Sequence, residues 1–107
     1  MQNIFDLPAN LSNDELFEVL LSQSNLKIER IISTGQTTAP GNWYDQEQAE
    51  WVILLQGEAR ITYEDGSSHV LRSGDYLLIP PHQKHRVDYT SSEPPCIWLA
   101  VHFHEET

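Results

Sequence analysis

The sequence predicts a small all-β domain, a sandwich or barrel of short strands, preceded by one short helix. Three observations carry that prediction. After Asn25, short apolar runs recur with turn signals about every 8–12 residues. Two of those runs are apolar on both faces, which calls for cover on both sides. Before them, Ser12 and Glu15 stand three apart ahead of a leucine-rich segment, the form of a helix start.

The helix is expected over Asn13–Ser24. Ser12 and Glu15 make a capping box, and Leu11 and Leu16 fall at the staple positions around it. Leu16, Val19, Leu20 and Leu21 recur at helical spacing, and Asn25 is the stop. Residues 1–26 thus read as a helical segment and 27–103 as the β region. Strands are expected at Lys27–Ser33, Glu50–Leu55, Ala59–Tyr63, His69–Leu71, Tyr76–Ile79, His85–Tyr89 and Ile97–Phe103. Between them, Asp65-Gly66 is a tight-hairpin signal, Ser73-Gly74-Asp75 a turn, and Pro80-Pro81 a stop. Val52 and Leu54 alternate with Trp51, Ile53 and Leu55, and Leu77 and Ile79 with Tyr76 and Leu78. The outer face so formed is larger than a three-turn helix can cover, so a homodimer is expected.

With 107 residues there is room for one domain. A 39% apolar content supplies enough burial to offset chain entropy over most of that length. Six Lys and Arg against sixteen Asp and Glu leave a net charge of −10. That balance speaks against nucleic acid and against anionic membrane surfaces. No apolar run reaches the roughly 20 residues of a membrane span. The N-terminus lacks the basic and long apolar regions of a signal peptide. Cys96 is the single cysteine and can form no internal disulfide, which suits a reducing, cytoplasmic location.

Two stretches resemble the paired motifs of the cupin superfamily. The first runs from Gly41 through Glu50 to Gly57, and the second from Gly74 through Pro80 to His85, with 16 residues between Gly57 and Gly74. The likeness covers about residues 27–103. Within the superfamily, the wording Trp43-Tyr44-Asp45-Gln46 with Glu50-Trp51 resembles a group of small single-domain bacterial cupins of unassigned function. The resemblance implies a jelly-roll barrel, RmlC-like in form, with a central pocket that usually holds a divalent metal. Family ligands are a His-x-His pair and a Glu in the first motif and a His in the second. Only Glu50 and His85 carry over. Depending on the spacer, Tyr44 and Gln46, or Trp43 and Asp45, replace the histidine pair. His82 stands where the second motif has glycine.

Two protein ligands are too few for a tight transition-metal site, which usually has three. Asp45, Gln46, His82 and His102 are the candidates to complete one. His102 lines the pocket only if Ile97, Leu99, Val101 and Phe103 face away from it, in which case Trp98 lines it too. Such a site suits Zn, Fe, Mn or Ni by ligand type. The plainer alternatives are a surface carboxylate for Glu50, a hydrogen-bonded interior histidine for His85 and a solvated turn for His82. Tyr44 and Tyr89 are pocket candidates, Tyr89 because it stands four residues after His85 on one strand face. Arg86 and Lys84 alternate with His85 and point the other way.

No serine elbow, phosphate loop or Cys-His pair is present, so covalent acyl transfer and nucleotide chemistry are not indicated. The functional classes that remain are a metal-dependent cupin acting on or binding a small organic molecule, a metal-free ligand-binding or sensing module, and a structural dimer with a degenerate pocket.

Overall fold

A computed structural model describes residues 1–104. Its strands are β1 (Leu16–Gln23), β2 (Leu26–Ser33), β3 (Ala49–Gln56), β4 (Glu58–Tyr63), β5 (Ser68–Arg72), β6 (Tyr76–Ile79), β7 (His85–Thr90) and β8 (Cys96–Phe103). They form two antiparallel sheets, one in the order β1-β2-β8-β3-β6 and the other β5-β4-β7. Val52 and Leu54 of β3, Ala59 and Ile61 of β4, Leu71 of β5 and Trp98 and Ala100 of β8 meet between the sheets and form the core. The architecture is the all-β jelly roll that the sequence predicts.

The N-terminal helix is not there. Residues 16–23 are β1, paired antiparallel with β2, and Ser24-Asn25 is the two-residue turn between them. The helical spacing of the leucines has a physical explanation. Phe17 and Val19 share a face in register with Ile31 and Glu29, and then the ladder shifts so that Leu21 meets Ile28. The extra residue, Leu20, moves Leu21 to the opposite face, and the resulting apolar pattern imitates a helix. The Ser12 hydroxyl accepts the backbone N–H of Asp14 at 3.1 Å, closing a local turn instead of capping a helix. A lone helix of this length is marginal in water, whereas the strand gains a full ladder against β2.

The outward side of the larger sheet is apolar: Trp51 lies opposite Leu78 and Val101, and Ile53 opposite Tyr76 and Leu99. Arg30, outward on β2, binds Glu18 and donates to the carbonyls of Ile4 and Asp6, drawing the N-terminal segment toward that sheet. Tyr76 and Leu78 stay 65% and 50% exposed, so the patch extends beyond that cover.

Two glycine-type positions shape the loops. Gly57 has φ +97°, and a Cβ there would meet Ser91 Oγ at 2.8 Å and Cys96 Sγ at 2.9 Å, so only glycine fits. His82 has φ +61° where the second motif has glycine, a left-handed conformation held by a bond from its N–H to the Gln46 carbonyl. No helix among the described residues is long and apolar enough to cross a membrane.

Candidate functional site

A cavity of about 90 Å³ lies between the two sheets, closed on one side by the segment 36–46. That segment is bound along β7. Thr38 and Val87 exchange hydrogen bonds, Arg86 donates to the Thr38 carbonyl at 3.0 Å, and Thr90 donates to the Gln36 carbonyl at 2.6 Å. Arg86 points away from the cavity, as its alternation with His85 predicts, and its role is to hold this wall.

Further along, Tyr44 and His85 exchange backbone hydrogen bonds at 2.8 and 3.1 Å. Their rings stack with centroids 5.5 Å apart. His85 is buried at the start of β7. Its Nδ1 lies 2.9 Å from the Gln83 carbonyl. A carbonyl only accepts, so Nδ1 carries the proton and a neutral ring presents a bare Nε2. That Nε2 lies 4.0 Å from Oε1 of Glu50.

Glu50 sits on β3 with only 8% of its surface exposed. Among the described residues no hydrogen-bond donor reaches its carboxylate. Burial pushes its carboxyl above the ordinary range, against the opposing pull of His102 and His85. Opposite it in the ladder is His102 on β8. His102 and Trp98 do line the cavity, because Leu99 and Val101 take the outer face. The Nε2 of His102 is engaged at 2.8 Å with Oε1 of Glu29, itself buried on β2. Gln46 lines the cavity as well, and its Oε1 is buried without a partner among the described residues.

Other predicted site residues lie elsewhere. Asp45 and His82 bond to each other at 2.8 Å on the surface and do not line the cavity. Tyr89 is 45% exposed and outside it. The reason is a bulge: Val87 faces Ile61, Tyr89 faces Arg60, and the extra residue Asp88 reverses the face beyond it.

Two cavity carboxylates escape the sequence reading, those of Glu29 and Glu15. Glu29 shares a strand face with Ile31 and Ser33, and a charge at a core-facing position was the available signal. Glu15 reads as a helix cap, yet its Oε2 accepts the Ser33 hydroxyl at 2.6 Å. The Ser33 oxygen in turn accepts the Trp98 indole N–H at 3.1 Å. Burial raises the Glu15 carboxyl, and the Ser33 bond opposes that shift. The Tyr44 hydroxyl is pushed up by burial and then by the charges of Glu15 and Glu50.

No three His, Cys, Asp or Glu side chains among the described residues are grouped to hold a metal ion. Glu50 and His85 supply two donors, and the orphaned Gln46 Oε1 is a neutral third. These fit a divalent ion by donor type, though more loosely than three charged or imidazole ligands.

A family model described as the cupin domain matches residues 30–102. A crystal structure from Ralstonia eutropha JMP134, of a candidate mannose-6-phosphate isomerase, is 46% identical, covers 98% of each chain and superposes with a TM-score of 0.91. A cupin superfamily protein from Desulfitobacterium hafniense DCB-2 is 19% identical over 92% of this chain and 84% of its own, with a TM-score of 0.76. An RmlC-like protein from Methanocaldococcus jannaschii with a double-stranded β-helix fold is 16% identical over 97% and 92%, with a TM-score of 0.72. The last two likenesses concern the fold alone. No curated protein matches the sequence.

Proposed function

The chain belongs to the cupin domain family, and within it we propose that the barrel cavity binds a small organic molecule beside a divalent metal ion held by Glu50 and His85, with Gln46 as third donor. The observation that carries this reading is the Glu50 carboxylate, nine-tenths buried and without a hydrogen-bond donor among the described residues. A lone buried carboxylate is costly, by several kcal/mol when ionised (on the order of the effective penalty per ion). A cation offsets that cost, and the bare Nε2 of His85 and the free Oε1 of Gln46 add two further acceptors. Zn, Fe, Mn and Ni all suit such donors, and a bound ion would act as a Lewis acid toward an oxygen of the organic molecule.

The chain's own residues prepare the site. The Gln83 carbonyl sets the His85 tautomer, and the Tyr44 ring stacked on His85 fixes the plane of the imidazole. Ile31, Val52, Ile61 and Val87 give the cavity apolar walls. Its volume is below the 150 Å³ or so that admits benzene. Only a molecule of about four to six heavy atoms, or one end of a larger one, enters.

The isomerase activity named for the Ralstonia protein is not proposed for this chain. A phosphate ester is held by Arg, Lys or converging N–H groups, and no Lys or Arg lines the cavity. A metal-free binding or sensing pocket is the second reading, favoured by the presence of only two strong ligands. The outer apolar patch supports pairing with a second copy of the chain, and buried Cys96 supports a reducing, cytoplasmic setting; both belong to the same proposal.

The test is elemental analysis of tag-free protein beside Glu50→Ala and His85→Ala. Metal close to one equivalent per chain, lost in both variants while they stay folded, is the expected result. Metal far below one equivalent, with no uptake from Zn, Fe, Mn or Ni salts, overturns the metal reading and leaves the metal-free pocket.

A further inference from the structure

Resting on the metal-free reading of the cavity, in which Glu50 carries no metal ion, we propose that Glu15 selects the charge of the bound molecule: the site admits a small ammonium compound and rejects phosphate and carboxylate anions. Three carboxylates line the cavity, those of Glu15, Glu29 and Glu50, with no Lys or Arg among the lining residues. His102 answers Glu29 at 2.8 Å, which leaves Glu15 and Glu50. Glu50 is nine-tenths buried and unpartnered among the described residues, so the cavity already contains one acceptor in want of a donor.

Glu15 adds a second acceptor, and it is held in place. Trp98 donates its indole N–H to the Ser33 oxygen, and Ser33 donates its hydroxyl to Glu15 Oε2. No donor among the described residues reaches the other oxygen, Oε1. The carboxylate is therefore oriented by one bond and available through the other. Glu15, Glu50 and Tyr44 line the same cavity, so a guest there meets both carboxylates. A guest between them meets acceptors and negative charge. An ammonium group supplies three donors and the opposite charge, an alcohol supplies one donor and none, and a phosphate supplies repulsion.

The probes, added to metal-stripped protein, are propylammonium, propan-1-ol and methyl phosphate, all small enough for the cavity. The readout is the Trp98 indole N–H resonance, assigned by Trp98→Phe, because that proton lies one bond from the Glu15–Ser33 contact. Propylammonium is expected to shift it saturably, binding about tenfold or more tighter than propan-1-ol. Methyl phosphate is expected to leave it unmoved. In Glu15→Gln, which keeps an acceptor for Ser33, the ammonium preference should fall to about threefold or less.

Equal binding of alcohol and ammonium, saturation by methyl phosphate, or an unchanged preference in Glu15→Gln overturns the proposal while the small-molecule reading stands. Saturation by none of the three overturns both.

Discussion

The Nε2 of His85 and the Oε1 of Glu50 stand 4.0 Å apart, too far for a hydrogen bond, with the His85 proton committed to Gln83 on the far side of the ring. Two acceptors thus face each other in a buried place. The pair is relieved when a proton or a cation sits between the two.

That relationship sets a pH dependence. Burial raises the carboxyls of Glu50 and Glu15 above their ordinary value of 4.5. Each then holds its proton more tightly folded than unfolded. Stability contributed in this way is full at acid pH and falls as pH rises from 4.5 through the raised values. Asp65 and Asp88 are lowered by hydrogen bonds from Ser67 and Thr62, so their opposite contribution is lost only below their ordinary 3.8. Melting temperatures of metal-stripped protein should therefore decline from pH 5 toward neutrality, and decline less in Glu50→Gln. Parallel slopes for the two proteins would refute the assignment.

His102→Ala should cost about 2 kcal/mol in denaturant unfolding, since it removes the close partner of the buried Glu29 and leaves it only Lys27 at 3.9 Å. Replacing both partners, as Glu29→Leu with His102→Leu, should restore most of that loss. A double variant no more stable than His102→Ala would mean that the pair supplies net attraction.

Gly57→Ala should destabilise by about 3 kcal/mol, combining a left-handed backbone with overpacking against Ser91 and Cys96. Gly66→Ala has the same sign of φ but open space around it, so it should cost less. Equal losses at the two positions would assign the whole effect to the backbone.

Light scattering should report a mass of two chains. Leu78→Glu, on the exposed part of the outer sheet face, should shift it to one. A monomeric wild type at about 100 μM, where even a weak micromolar dimer assembles, would exclude this interface.

Much of the fold was legible because strands announce themselves locally. Tyr76–Ile79 is read to the residue, and β2, β3 and β8 to within one at each end. Glu50 and His85 were legible from motif spacing, and His102 from its place beside Trp98 and Ala100. Two of the differences share one cause. At Leu20 and at Asp88 an extra residue enters a strand, and counting by twos then assigns every later side chain to the wrong face. The sequence pattern points to a helix over β1 and to an inward Tyr89 for that reason. For Asp45 and His82, ligand chemistry is visible in sequence, whereas their mutual bond on the surface is not.

The extra residue in β7 also bears on how relatives are compared and redesigned. Contact positions cannot be transferred along this strand by alignment column alone. A homologue one residue shorter between Val87 and Tyr89 would keep its aromatic opposite Arg60 on the outer face, because plain alternation then places it one step after the inward Val87. Deleting Asp88 from this chain is then a single edit that would regularise the ladder and leave the ring outside, with the cavity and its Glu50, His85 and Glu15 untouched.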